Sequence, residues 1–99
     1  MTNDEKVKCR QICKHYGTQN QCLKAVEEMA ELQRAIVKTM IGDKGDLDNV
    51  IEEIADVEIM MEQLKSIFDP IGIDVPLQIR KKIQRQMERM EKEESDETD

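Results

Sequence analysis

"CLKAVEEMAELQRAIVKTMI" at residues 22–41 and "VIEEIADVEIMMEQLKSIF" at residues 50–68 decide how this 99-residue chain is read. In the first stretch Leu23, Val26, Met29, Ala30, Ile36, Val37 and Met40 recur at three- and four-residue steps, the period of one helix face. In the second, Val50, Ile54, Val57, Met61, Leu64 and Phe68 are spaced four, three, four, three, four, a seam for packing against other helices. Between them "GDKGD" at 42–46 offers two glycines and three charges to stop one helix, and Asp46 or Asp48 to cap the next. Two long antiparallel helices joined by a short loop follow from this pattern.

Outward from that pair, residues 4–16 show a helical pattern through Val7, Ile12, Cys13 and Tyr16, with Gly17 as its C-cap. Thr18 followed by Gln21 fits a capping box, so the second helix is expected from there to about Ile41, roughly 35 Å long. "DPIGIDVP" at 69–76 interrupts the third helix's pattern. A fourth helix is expected from Pro76 or Leu77, with Ile79, Ile83, Met87 and Met90 on one side. Only "IGIDV" at 71–75 offers a candidate for a short extended piece, so the fold class is all-α, a four-helix bundle.

At this length folding buries only about two-thirds of the surface of the unfolded chain. Tyr16 and Phe68 are the only aromatics and there is no Trp, so the core is aliphatic and modest, and help from a partner subunit is expected. The net charge is −7, of which the last nine residues, "EKEESDETD", carry −5, leaving −2 for residues 1–90. One domain is therefore expected over 1–90, followed by a solvated, disordered acidic tail over 91–99. A body so close to neutral argues against a bulk nucleic-acid binder. No apolar stretch approaches a membrane span and "MTNDEKVKCR" has no hydrophobic signal core, which predicts a cytoplasmic chain with no membrane partner. Cys9, Cys13 and Cys22 are an odd number without framework spacing and read as reduced thiols. Together with His15 they match no usual zinc-ligand spacing.

The chemistry sits in an echo. "VEEMAEL" at 26–32 returns as "IEEIADV" at 51–57, so Glu27, Glu28 and Glu31 are repeated by Glu52, Glu53 and Asp56. On helices, Gln21, Lys24, Glu28, Glu31 and Ala35 share one stripe, and Asn49, Glu53, Asp56 and Met60 share another. Glu27 and Glu52 point about 100° away from their neighbours. If the helices pack antiparallel, four carboxylates converge at the edge of the core. Two such groups about 4 Å apart repel by roughly 4 kcal/mol at an effective dielectric near 20, which a bound cation would relieve. Oxygen ligands without histidine or thiolate suit Mg²⁺, with Mn²⁺ as the second choice, and Mg²⁺ completes its shell with water and substrate phosphates. A di-iron site would need Glu-x-x-His pairs that this chain lacks. The plainer reading of any one acidic pair is a solvated helix face.

"EEMAE", 21 intervening residues and "EIAD" together resemble the EExxE…ExxD signature of the MazG-like, all-α nucleoside triphosphate pyrophosphohydrolases, over about residues 17–73. The resemblance points to a short single-domain member of the kind found in phages and prophages. The resemblance implies a helical homodimer or homotetramer that hydrolyses nucleoside or deoxynucleoside triphosphates to a monophosphate and pyrophosphate. It implies Glu28, Glu31, Glu53 and Asp56 as Mg²⁺ ligands, with Glu28 at the catalytic centre and a metal-associated water attacking; the alternative is that Glu27 orients that water as a base. Lys24, one turn before Glu28, reads either as an ion pair or as a phosphate contact, and Gln21 as a cap or a nucleobase contact. The last helix carries Arg80, Lys81, Lys82, Arg85 and Arg89, of which Lys82 and Arg85 are the candidates to reach a triphosphate. Family members often place an aromatic near the base, and here only Tyr16 or Phe68 could serve. Gln33 and Glu58 interrupt otherwise apolar faces at matching places in the two copies, at a subunit interface or in the pocket. The rival readings are a non-catalytic helical interaction module, whose acids merely solvate it, and a nucleotide-sensing protein of the same fold.

Overall fold

The computed structural model describes residues 1–42 and 46–97, with the backbone alone at Glu97, and is all-helical. Its elements are α1 (Asn3–Tyr16), α2 (Thr18–Ile41), α3 (Leu47–Phe68) and α4 (Asp74–Glu97), with no strand among the described residues. "IGIDV" accordingly gives no extended piece: it holds a turn at Gly72 (φ 80°) and the start of α4. Most of the "GDKGD" loop, residues 43–45, lies outside the described residues. No helix among the described residues is long and apolar enough to cross a membrane.

Each helix start has a local cause. At α1, Thr2 Oγ1 accepts from the Glu5 amide (3.1 Å) while the Thr2 amide donates to Glu5 Oε1 (2.7 Å), a reciprocal capping box. Thr18 forms no such box. Gly17 stands at the N-cap of α2 with no side-chain cap, and the Gln21 side chain reaches across to α3 instead. The same Gly17, at φ 95°, closes α1 by donating its amide to Cys13 O (2.8 Å) and opens α2 by accepting from the Gln21 amide (3.0 Å). A side chain is strained at that φ, so glycine is required. Of the two expected caps for α3, Asp46 serves, accepting the Asn49 amide on Oδ1 (3.1 Å).

The chain divides into two compact units, Met1–Phe68 and Asp69–Asp99. In the first, α2 packs chiefly on α3, and α1 lies against both. Early α2 meets late α3, because Gln21 hydrogen-bonds Gln63, so the two helices run antiparallel. The face of α3 turned inward differs from the expected apolar seam. Met60 and Gln63 are its buried residues, while of the seam Val50, Val57 and Leu64 are half-buried and Ile54, Met61 and Phe68 exposed. On α2 the buried residues are Gln21, Ala25, Glu28 and Ala35. The buried set is thus two alanines and two polar side chains, and Gln21 pairs across to Gln63. Cys9 and Cys13 of α1 are buried as small hydrophobes.

In the second unit, buried Asp69 accepts the amides of Asp74 (3.2 Å) and Val75 (2.8 Å), which satisfies two free donors at the start of α4. That cap starts α4 at Asp74, two residues before the expected Pro76. Pro76 falls within the first turn, where a helix needs no amide donor. α4 then continues through Glu97 without a break at residue 90, so residues 91–97, expected as a disordered tail, extend the helix. Its apolar side chains Ile79, Ile83, Met87 and Met90 are all exposed.

Candidate metal centre and ligand cleft

The inward stripes of α2 and α3 bring acids together. One carboxylate oxygen each from Glu28, Glu53 and Asp56 lie within 4.8 Å of one another. Glu28 is buried, Glu53 half-buried and Asp56 exposed, so the group grades from the helix interface out to solvent. Spacing explains the set: Glu53 and Asp56 are one turn apart on α3, and antiparallel packing brings Glu28 opposite them.

Two atoms mark this group as incomplete. Glu28 Oε2 and Glu53 Oε2 are both buried and neither has a hydrogen-bond partner. A buried polar atom left without a partner opposes folding, a charged one most of all. The other Glu28 oxygen is occupied, since Oε1 lies 3.1 Å from Lys24 Nζ. Desolvation pushes the Glu53 carboxyl above its ordinary range, and the charges of Glu31, Asp56, Glu28 and Glu52 push it further. Glu31 therefore acts on the cluster electrostatically, although its oxygens are not among the three that converge. Lys24 is also raised above its ordinary range, which here favours the charged form: the hydrogen bond to Glu28 stabilises its ammonium first, then the charges of Glu27, Glu28 and Glu31. Clustered hard oxygens with unused lone pairs, and no sulfur or imidazole among them, suit a hard divalent cation.

Beside the acids lies a cleft of about 450 Å³, within the range of small-molecule sites. Lys24, Glu28 and Asp56 give its wall charge, and Ile12, Tyr16, Ile59 and Met60 give it apolar surface. Gln21 and Gln63 complete it, joined by a buried hydrogen bond from Gln21 Nε2 to Gln63 Oε1 (2.8 Å). The cleft thus combines a cation-seeking corner, an ammonium group, an aromatic and a pair of amides.

The sequence-derived residues divide clearly. Glu28, Glu53 and Asp56 converge, and Lys24 and Gln21 line the same cleft. Glu31 is half-buried nearby, and Glu27 is exposed with an oxygen 3.9 Å from Lys24 Nζ. Both readings of Lys24 remain compatible with its position, since it makes the ion pair and also faces the cleft. Lys82 and Arg85 are exposed on α4 in the second unit. Both aromatics are exposed, but Tyr16 lines the cleft and Phe68 does not. Gln63 and Met60 were not singled out from the sequence as cleft residues. One further step along the stripe Glu53, Asp56, Met60 leads directly to Gln63, which was the available signal.

Comparisons of the chain with protein families, with curated proteins and with solved structures found no match.

Proposed function

We propose that the chain is a Mg²⁺-dependent pyrophosphohydrolase of nucleoside or deoxynucleoside triphosphates, of the MazG-like kind its acidic motif resembles. The observation that carries this reading is the pair of buried, partnerless oxygens on Glu28 and Glu53, converging with Asp56 beside a nucleotide-sized cleft. Glu28, Glu53 and Asp56 would hold the ion, with Mn²⁺ as an alternative, and Glu31 adds negative charge beside them. A bound Mg²⁺ supplies neutralisation of phosphate charge and a more acidic water. The chain's own groups do the remainder. Lys24, held by Glu28 and facing the cleft, offers its ammonium to a phosphate oxygen. Glu27, exposed beside Lys24, is the proposed group to orient or deprotonate the water that attacks the α-phosphorus, breaking the α–β anhydride bond with pyrophosphate leaving. Ile12, Tyr16 and Ile59 exclude water from the organic part of the ligand.

The proposed assembly is a dimer or tetramer of identical subunits, and the exposed faces of the central helices support it. On α2, Leu23, Val26, Ala30, Gln33, Val37 and Met40 follow three-four spacing and are all exposed. On α3, Leu47, Ile51, Ile54, Glu58 and Met61 do the same. These are heptad seams with one polar residue apiece, a pattern that fixes register between packed helices.

The experiment is to incubate the protein with a panel of nucleoside triphosphates and Mg²⁺ and to assay monophosphate and pyrophosphate. No turnover with any of them, or turnover that survives Glu53→Gln, overturns the reading. The same seams favour the second reading, a non-catalytic helical interaction module. That reading expects no change in the thermal melt on adding Mg²⁺. A nucleotide-sensing protein would show the Mg²⁺ response and nucleotide binding without turnover.

A further inference from the structure

Gln63 is the most deeply buried large side chain among the described residues, and it lies in the wall of the cleft. Its surroundings fix which way its amide faces. Gln63 Nε2 donates to Met60 Sδ at 3.9 Å, and a thioether sulfur can only accept. The nitrogen therefore belongs on the Met60 side, which leaves Gln63 Oε1 facing Gln21. An oxygen there requires a donor, so Gln21 must turn its Nε2 inward, as the 2.8 Å hydrogen bond records. Gln21 Oε1 and its second amide hydrogen then have no protein partner, on a residue that lines the cleft. Sulfur orients the first amide and the first amide orients the second, so the cleft wall presents an acceptor beside a donor in one fixed sense.

We propose that Met60 and Gln63 are positioning residues that lock the Gln21 amide to read the hydrogen-bonding edge of a nucleobase. The ligand class is a base with a ring or amino N–H next to an acceptor, seated against Tyr16 and Ile12. This inference rests on the proposed nucleotide chemistry of the acidic site and adds to it the element that chooses among bases. Without the relay Gln21 could rotate its amide by half a turn and present donor and acceptor interchanged. A buried polar pair that matches one edge leaves groups unpaired against another, which is how such sites discriminate strongly.

Calorimetric titration tests it. The probes are the α,β-methylene analogues of the four common deoxynucleoside triphosphates, with Mg²⁺ present, and methylenediphosphonate as a phosphate mimic that lacks a base. Gln21→Met and Gln63→Met are expected to weaken the preferred nucleotide about 10-fold and to flatten the differences between bases. Methylenediphosphonate and Mg²⁺ affinities should stay within about 2-fold of the parent, because those ligands do not meet the amides. Met60→Leu keeps the volume but removes the acceptor, and it should also flatten the base ranking, even if Gln63→Met fails to fold. An unchanged ranking in Gln21→Met or Met60→Leu overturns the inference while leaving the pyrophosphohydrolase reading intact. Equal weakening of both kinds of probe also overturns it, since that marks a purely structural role. If the parent protein binds Mg²⁺ but none of the nucleotides, the functional reading and the inference both fall.

Discussion

Glu28 on α2 and Glu53 on α3 converge with Asp56, each keeping one buried oxygen that no donor touches. Two acids placed this way weaken the free protein, and a bound cation would relieve them. Divalent metal should therefore stabilise the fold. At a hundred times the dissociation constant the gain is about 2.7 kcal/mol. For a domain of this size that corresponds to roughly 10–20 °C in the melting temperature.

Glu53→Gln separates the two effects. The neutral amide removes a charge that burial and four neighbouring carboxylates oppose, so the metal-free variant should melt higher than the parent. Its metal affinity should fall by roughly 100-fold or more, read by titration calorimetry with Mn²⁺. In the parent, protons compete for Glu53 at a higher pH than for an ordinary carboxyl. Metal affinity should weaken as pH falls into that raised range.

Ala25 and Ala35 are almost wholly buried, on the same stripe of α2 as Gln21 and Glu28. Ala25→Leu forces extra methylenes into that stripe and should lower stability by about 1–3 kcal/mol in urea denaturation. Because Glu28 lies on the same stripe, Mg²⁺ should stabilise this variant less than the parent.

Asp69 predicts an acid-sensitive helix start. Hydrogen bonds from the backbone amides of Val75, Asp74, Ile73 and Gly72 hold its carboxyl below the ordinary value of 3.8, with Val75 contributing most. A lowered pKa in the folded state means the stabilisation is present above the unfolded value and is lost as pH falls through the folded one. Hydrogen exchange at the Asp74 and Val75 amides should therefore stay slow down to pH 3.8 and accelerate below it. Asp69→Ala should show fast exchange at those two amides even at neutral pH.

The outward seams predict self-association of the 11.5 kDa chain. Sedimentation should give a multiple of that mass. Val37→Glu, a charge placed in the α2 seam, should raise the dissociation constant roughly 100-fold or more. Gln33→Leu should have the opposite sign, tightening association while loosening its register.

How far these features could be read in advance depends on what periodicity encodes. The acids were legible because Glu53 and Asp56 are three residues apart, and a three-residue step places them on one stripe wherever the helix lies. Which stripe faces the neighbouring helix is another matter. α3 carries an apolar seam through Ile54 and Met61 and a mixed stripe through Glu53, Met60 and Gln63, and periodicity ranks the apolar one first. The structure turns the mixed stripe inward, since α2 offers it small alanines and a matching amide. Gln21 was ambiguous for the same reason: its capping role needed only local sequence, whereas its actual partner is 42 residues away. α1 had no such competition, and Gly17 marked its end to the residue. The run at 91–97 was read from charge alone, and charge does not by itself end a helix that began at Asp74.

Gly17 is the whole of the connection between α1 and α2, and Tyr16, the cleft's aromatic, is the residue just before it. No slack exists at that joint to absorb a change in chain length. One inserted residue in α1 would wheel Ile12 and Tyr16 by about 100° relative to α2 and carry the aromatic away from the amide pair. Insertions at the joint should therefore change where Tyr16 stands in the cleft while leaving Glu28, Glu53 and Asp56 together on α2 and α3, making the length of this turn a dial for the cleft that does not touch the carboxylates.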